Sequence, residues 1–429
     1  MPLRVESATR MGWARAVDVE VRCMGVQVVV GLDFGSSSVK ASAFRPDGSL
    51  VGTSRVVTPT VRTSDGVDIP VAAALEAADE AVSGLGLGPA AVAAVGVATM
   101  GEVGTVLTDG GLADLHFPAW YDMRGQEVVR VIARTLGEQR VAGLTGNHLR
   151  ATSSLAKLSW LAGRSRLPAG TFLGIGAAWV WRMTRSVVAE AGLLSTTGAY
   201  DPIARRPVAD VWELGGLERQ GVVVPWAARP GARAVTGVAE RIGLQPGAPV
   251  VLAGHDHLVG AVGVGLADGE VLDSVGTSEG LIAWTTPPGE GRVAWAEHAV
   301  ALGLTIEPRP GAGADEVALI WEGLRPGLAM AAFERASGRP RSELEGVPVV
   351  GAAATSREDA VLWEEGHGPG RADDRAWAAL VTYYAQAAAD GVRTVRDVAR
   401  VEGAVVLTGV APGRRPGWVQ RCVPSASPS

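Results

Sequence analysis

Apolar and polar positions alternate with strand period at the start of the patterned chain. VQVVVGLD (26–33) is a β-branched apolar run, FGSSS turns, VKASAF (39–44) alternates, PDG turns again, and SLVGTSRVV alternates once more. The pattern predicts a three-stranded antiparallel meander. VAAALEAADEAVSGL (71–85) then takes helical period, AAVGVATM (93–100) reads as a buried strand, and VGTVLTDGG (103–111) reads as another strand ending in a turn. GQEVVRVIARTLG, TSSLAKLSWLAG and GAAWVWRMTRSVVAEAG predict three helices across 125–192, each closed by glycine.

From 245 the plan restarts: a buried strand, a Gly-rich helix, then strand, tight turn and strand. The turns 35–38 and 276–279 each sit between two strands, which is a short internal repeat. A domain boundary is therefore expected at 240–246, dividing 24–243 from 244–429. After 286 a region broken by Pro and Gly leads to a long helix over 374–400 and a short strand, GAVVLTG (403–409). Residues 1–23 lack both periodicity and a signal-peptide apolar core, so they are expected to be an unstructured extension, with Met24 as an alternative start.

Composition narrows the classes. With 429 residues, net charge −6, 47% hydrophobic and 20% charged residues, the chain is neither disordered nor low in complexity. Few aromatics and a mildly acidic balance exclude the basic surface of a nucleic-acid binder. Cys23 and Cys422 alone build no disulfide framework, and no stretch is apolar enough for a membrane span, so a cytoplasmic protein is expected.

Three clusters carry candidate chemistry. LDFGSSSVK ends a strand in Asp33 and turns through Gly35, Ser36, Ser37 and Ser38. The turn offers N–H and O–H groups to an anion, with a carboxylate beside them for Mg²⁺. A P-loop would enter a helix, whereas this turn enters a strand; an ordinary Ser-rich hairpin is the plain alternative. GHDH (254–257) follows a buried strand, at the sheet edge where α/β folds place ligands. Asp256 is either a general base or a helix cap, and His255 with His257 is alternatively a metal pair. Met100, Gly101 and Glu102 follow a buried strand, and Trp120, Asp122 and Arg124 combine a flat apolar face with opposite charges. That mixture suits a polyhydroxylated ligand, or else a surface ion pair beside a Trp.

GLDFGSSSVKASAFRPDGSL, MGEVGTVLTDGG, WYDMRG, SLAKLSWL, PGAPVVLAGHDHLVGAVGVG and GEVLDSVGTSEGL, in that order, resemble the FGGY family of carbohydrate kinases across 26–409. The resemblance implies an α/β, two-domain actin-like ATPase fold of duplicated ribonuclease-H-like topology, with ATP and sugar in the interdomain cleft. It assigns Mg²⁺ to Asp33 and the phosphate loops to Gly35, Ser36, Ser37, Ser38 and to Gly276, Thr277, Ser278, with Gly409 also on the nucleotide side. It assigns the catalytic base, in contact with the sugar, to Asp256. It gives the sugar pocket to Met100, Gly101, Glu102, Trp120, Asp122 and Arg124, while Lys157 in SLAKLSWL is read as packing. The first domain would then hold the sugar and the second the nucleotide.

After VVLTG the family continues with a second Gly and further elements. Here Val410 follows and the chain runs out in VPSASPS, so a truncated or frameshifted C-terminus and an incomplete adenosine pocket are expected. The implied activity is ATP-dependent phosphorylation of a sugar or polyol hydroxyl, with no nucleic-acid or membrane partner and a homodimer left open. The alternative is a catalytically inactive sugar-binding or regulatory remnant of such a kinase.

Overall fold

The structure, a computed structural model, describes residues 27–408 apart from 89, 90, 236, 277, 314 and 315. The expected extension, Thr277, Gly409 and the C-terminal tail lie outside the described residues.

Strands β1 (Val28–Phe34), β2 (Ser38–Phe44) and β3 (Leu50–Val57) form the expected meander. In β1, Val28, Val30, Leu32 and Phe34 are buried in the core, so the two-residue period turns Asp33 to the opposite face. The β1–β2 register sets Asp33 opposite Lys40. β4 (Val92–Thr99) runs parallel to β1, and helix α1 (Val71–Ser83) packs its apolar stripe on β2 and β3. β5 (Gly231–Arg233) and β6 (Pro249–His255) complete the sheet in the order β5-β6-β4-β1-β2-β3.

β6 belongs to the first sheet, parallel to β4, and the first strand of the second sheet begins only at Val271. A buried parallel strand is apolar on both faces and carries no local mark of which sheet it joins.

Helices α2 (Ser154–Ala162) and α3 (Ile175–Thr184) pack in the first lobe. The helix expected over 176–192 is interrupted. Arg185 takes a left-handed conformation (φ 56), Ala189 pairs with Arg229, and helix resumes at Ala191–Ser195 with Glu190 capping it. Tertiary pairing overrides the local helical period here. Helix α4 (Asp256–Gly263) leaves β6 directly.

The second sheet contains β7 (Val271–Val275), β8 (Glu279–Thr285), β9 (Leu304–Pro308), β10 (Val317–Leu324) and β11 (Val405–Thr408), ordered β9-β10-β8-β7-β11. The β7–β8 hairpin with parallel β11 beside β7 repeats the β1–β2 hairpin with parallel β4 beside β1. That bears out the internal repeat. β9 and β10, together with helices Arg292–Ala301 and Pro326–Ser337, fill the region read from sequence as broken. Helix α5 (Asp374–Ala399) covers this sheet, as expected.

The lobes meet where Arg292–Ala301 packs on helix Glu138–Thr145. Gln139 Nε2 donates to Glu297 Oε2 at 3.0 Å, and the Ile306 N–H donates to the Gly146 carbonyl at 2.8 Å. Among the described residues no helix is long and apolar enough to cross a membrane.

Candidate active site

The parallel strands β1, β4 and β6 end level with one another: Asp33 pairs with Ala98, and Thr99 pairs with both Phe34 and His255. One sheet edge therefore carries Asp33, Met100 and Asp256, the position where open α/β sheets bind ligands. Lys40 Nζ lies 3.4 Å from Asp33 Oδ2. Burial, then the nearby Asp256 charge, pushes the Asp33 carboxyl above its ordinary value, against the pull of Lys40. In the turn that follows, Ser36 and Ser37 are exposed, and the Gly35 N–H closes it onto the Ser38 carbonyl at 3.2 Å. Ser38 Oγ is buried without a hydrogen-bond partner.

Asp256 opens α4, and its Oδ1 accepts from the His257 N–H at 2.8 Å. Burial raises its carboxyl, but His257, His255 and that N–H outweigh burial and hold it below the ordinary carboxylate value. Asp256 is not the cap residue, since His255 occupies that place with no side-chain cap bond. A β-bulge between Leu252 and Gly254 aims the pair. Gly254 sits at φ 136, and a Cβ there would stand 3.2 Å from Glu190 Oε2.

The His255 ring is buried between carboxylates. Nδ1 lies 3.1 and 3.0 Å from the two Glu307 oxygens, and Nε2 lies 3.5 Å from Asp256 Oδ1. Burial alone would favour the neutral ring, but Glu307 above all, then Asp256 and Glu102, raise its pKa well above the ordinary value. Both ring nitrogens of His255 thus face carboxylates.

Glu102 adopts φ 58, unusual for a residue with a side chain, and its N–H points at Thr196 Oγ1 at 3.3 Å. Burial raises its carboxyl, against His255 and Lys157. Lys157, read from sequence as packing, is fully buried on α2, and its Nζ donates to the carbonyls of Trp120 at 2.8 Å and Glu102 at 3.2 Å. One ammonium thus ties together the two stretches expected to line a sugar pocket.

Asp122 and Arg124 are committed to each other. Arg124 Nε donates to Asp122 Oδ1 at 2.8 Å and Nη2 to Oδ2 at 2.9 Å, and Nη2 also reaches Asp68 Oδ1 and the Val67 carbonyl. The guanidinium lies over the Trp160 ring at 4.7 Å, leaving Nη1 buried and without a partner. Of the two readings for this cluster, the ion pair is present but buried, so Asp122 holds the start of the strand Val67–Pro70 and only Arg124 keeps an unused donor.

On the second lobe, Gly276 and Ser278 form the tight turn of the β7–β8 hairpin, the Gly276 N–H donating to the Ser278 carbonyl at 2.9 Å. A side chain at Gly280 would meet His257 Nδ1 at 3.8 Å, so this hairpin abuts α4. Asp273 and Glu279 lie buried beneath the turn. Burial raises both carboxyls, and mutual repulsion raises Glu279 further.

The profile of the N-terminal domain of the FGGY family of carbohydrate kinases matches residues 28–263, more than half of the chain. The chain belongs to the FGGY family of carbohydrate kinases. Membership carries ATP-dependent carbohydrate-kinase function at the level of the family. Similar solved structures include a gluconate kinase from Lactobacillus acidophilus, 15% identical, covering 90% of this chain and 81% of that one at TM-score 0.72. A xylulose kinase from Rhodospirillum rubrum is 17% identical, covering 92% and 84% at TM-score 0.72. Plasmodium falciparum glycerol kinase with ADP is 12% identical, covering 92% and 84% at TM-score 0.72. At these identities the likeness is one of fold: an α/β actin-like ATPase fold with two lobes and an interdomain cleft. The comparison with curated proteins gives no match.

Glu190 and Glu307 escaped the sequence reading. Each stands in an apolar context (VVAEAG and LTIEP), yet both are buried beside the GHDH strand end. A lone carboxylate inside an apolar run was the available signal.

Proposed function

We propose that this FGGY-family chain transfers the γ-phosphoryl group of ATP to a hydroxyl of a sugar or polyol, with Asp256 as the general base. The observation that carries the reading is Asp256 itself. It is a carboxylate kept ionised by two histidines and a helix N-terminus, at the edge where Asp33, Met100 and Asp256 converge. A base held in its charged form accepts a hydroxyl proton as the oxygen attacks phosphorus. The first lobe would hold the carbohydrate, through Met100, Gly101, Glu102, Trp120 and the spare donor of Arg124. The second would hold the nucleotide, with Gly35 to Ser38 and Gly276 to Ser278 along the phosphates.

The donor set suits Mg²⁺, which is typically held by one or two carboxylates plus substrate phosphates. Asp33 offers a half-exposed carboxylate, and its repulsion with Asp256 is the kind that a cation relieves. Bound there, Mg²⁺ would neutralise charge on the phosphates. Asp33 would orient it, Lys40 would add a second positive charge, and Asp256 would stay free to take the proton.

A coupled ADP-release assay over pentoses, hexoses, ketoses and polyols tests the reading, with Asp256→Asn as control. Sugar-dependent ADP release that Asp256→Asn abolishes is expected. Saturable sugar binding with no release for any member of the panel would leave a sugar-binding remnant instead.

A further inference from the structure

We propose that Glu307 is a positioning residue for the base: from the edge strand of the second lobe its carboxylate grips the His255 ring, whose far nitrogen is directed at Asp256. The inference rests on Asp256 being the base, and it adds that the state of this base depends on the fit between the lobes.

The geometry is specific. Glu307 lies on β9, the outermost strand of the second sheet, paired with Ala318 of β10. It is 3% exposed, and both its oxygens stand within 3.1 Å of His255 Nδ1. His255 ends β6 in the first sheet, so the contact bridges the two sheets, beside the Ile306–Gly146 hydrogen bond and the packing of β9 on the helix Ala191–Ser195. A carboxylate at Nδ1 fixes which way the ring faces. It also holds a proton on Nδ1, and its negative charge favours a second proton on Nε2, which stands 3.5 Å from Asp256 Oδ1.

Titratable groups from several elements face His255 and its carboxylates. Glu307 comes from β9, Glu102 from the loop after β4, Glu190 from the cap of Ala191–Ser195, and Asp256 and His257 from α4. Lys157 from α2 answers Glu102, while Asp33 and Lys40 from the first hairpin act on Asp256. Glu307 is the largest influence keeping the ring charged, and the charged ring is among the influences holding Asp256 ionised. Were the lobes to part, Glu307 would leave with β9 and the base would lose this support. The active form of Asp256 is thereby tied to lobe contact.

The test uses the full chain and the variants Glu307→Gln and His255→Gln, with circular dichroism to check folding. Ring NMR signals of His255, followed from about pH 5 to about pH 9, require no turnover. In the wild type the ring should titrate above 6.5, the ordinary value, and in Glu307→Gln its midpoint should fall by at least about one unit. With an active sugar from the panel, the acidic limb of kcat/KM should move to higher pH by a similar amount in both variants, with KM for ATP unchanged. The double variant should be no worse than either single one. A wild-type ring titrating at or below 6.5, or a folded Glu307→Gln that shifts neither ring nor limb, would overturn the proposal. Absence of any kinase activity would overturn the proposed function instead, and the ring titration would still decide the ion pair.

Discussion

Replacing Lys157 by Met tests whether one buried ammonium holds the carbohydrate side of the site together. Met preserves most of the aliphatic length on α2 and removes the charge. Lys157 is 0% exposed, so water does not reach the Trp120 and Glu102 carbonyls once Nζ is gone. Each abandoned acceptor costs about 1–3 kcal/mol, and two give about 2–6 kcal/mol. Part is returned because the wild type carries the desolvation of a buried ammonium, which burial drives towards its neutral form. A net loss of about 2–4 kcal/mol is expected, large for one substitution but within the range of a broken buried network. Urea unfolding near neutral pH reads the stability, and steady-state kinetics read the site. KM for the sugar should rise several-fold more than KM for ATP, since both tethered stretches belong to the first lobe. An unfolding midpoint within error of wild type, or equal changes in both KM values, would refute the clamp.

Asp256→Asn should lower kcat by about 10²–10⁴ while sugar binding, measured by calorimetry, stays within a few-fold; more than about a tenth of wild-type kcat would exclude the general base. Burial pushes Glu190 from 4.5 up to about 7, so the folded chain holds its proton more tightly than the unfolded chain. That contribution is complete below about pH 4.5 and is lost as pH rises through about 7. Glu190→Gln keeps the acceptor for the Leu193 N–H, so relative to wild type it should gain about 1–3 kcal/mol on going from pH 5 to pH 8 in paired denaturation curves; an unchanged difference counts against the buried carboxyl. Asp33→Asn should raise the Mg²⁺ concentration needed for half-maximal activity without moving KM for sugar, as a metal titration would read. Gly254→Ala, forced to φ 136 and towards Glu190 Oε2, should cost about 1–3 kcal/mol and reduce turnover further by re-aiming Asp256.

Local periodicity was enough to place the chemistry of single strand ends. Alternation in VVVGLDF turns Asp33 away from the core, the tight turn after it puts Lys40 opposite, and the apolar run before GHDH delivers Asp256 to a sheet edge. These are short-range matters, decided by a two-residue period and a turn. The repeated hairpin was legible for the same reason. What the tertiary structure decided depends on partners far along the chain. β6 joined the first sheet because its neighbour β4 lies some 150 residues earlier, and a strand apolar on both faces does not announce its partner. Strands LTIEP and VALIWEGL read as broken sequence because a short apolar run has no period to separate strand from buried helix. Arg124 is paired with Asp122 and Asp68, one near and one 56 residues away. Glu307 reached His255 across 52 residues and two sheets. The charge states of His255, Glu102, Glu190 and Lys157 follow from that convergence, because burial and neighbouring charges set them and neither exists until the lobes have packed.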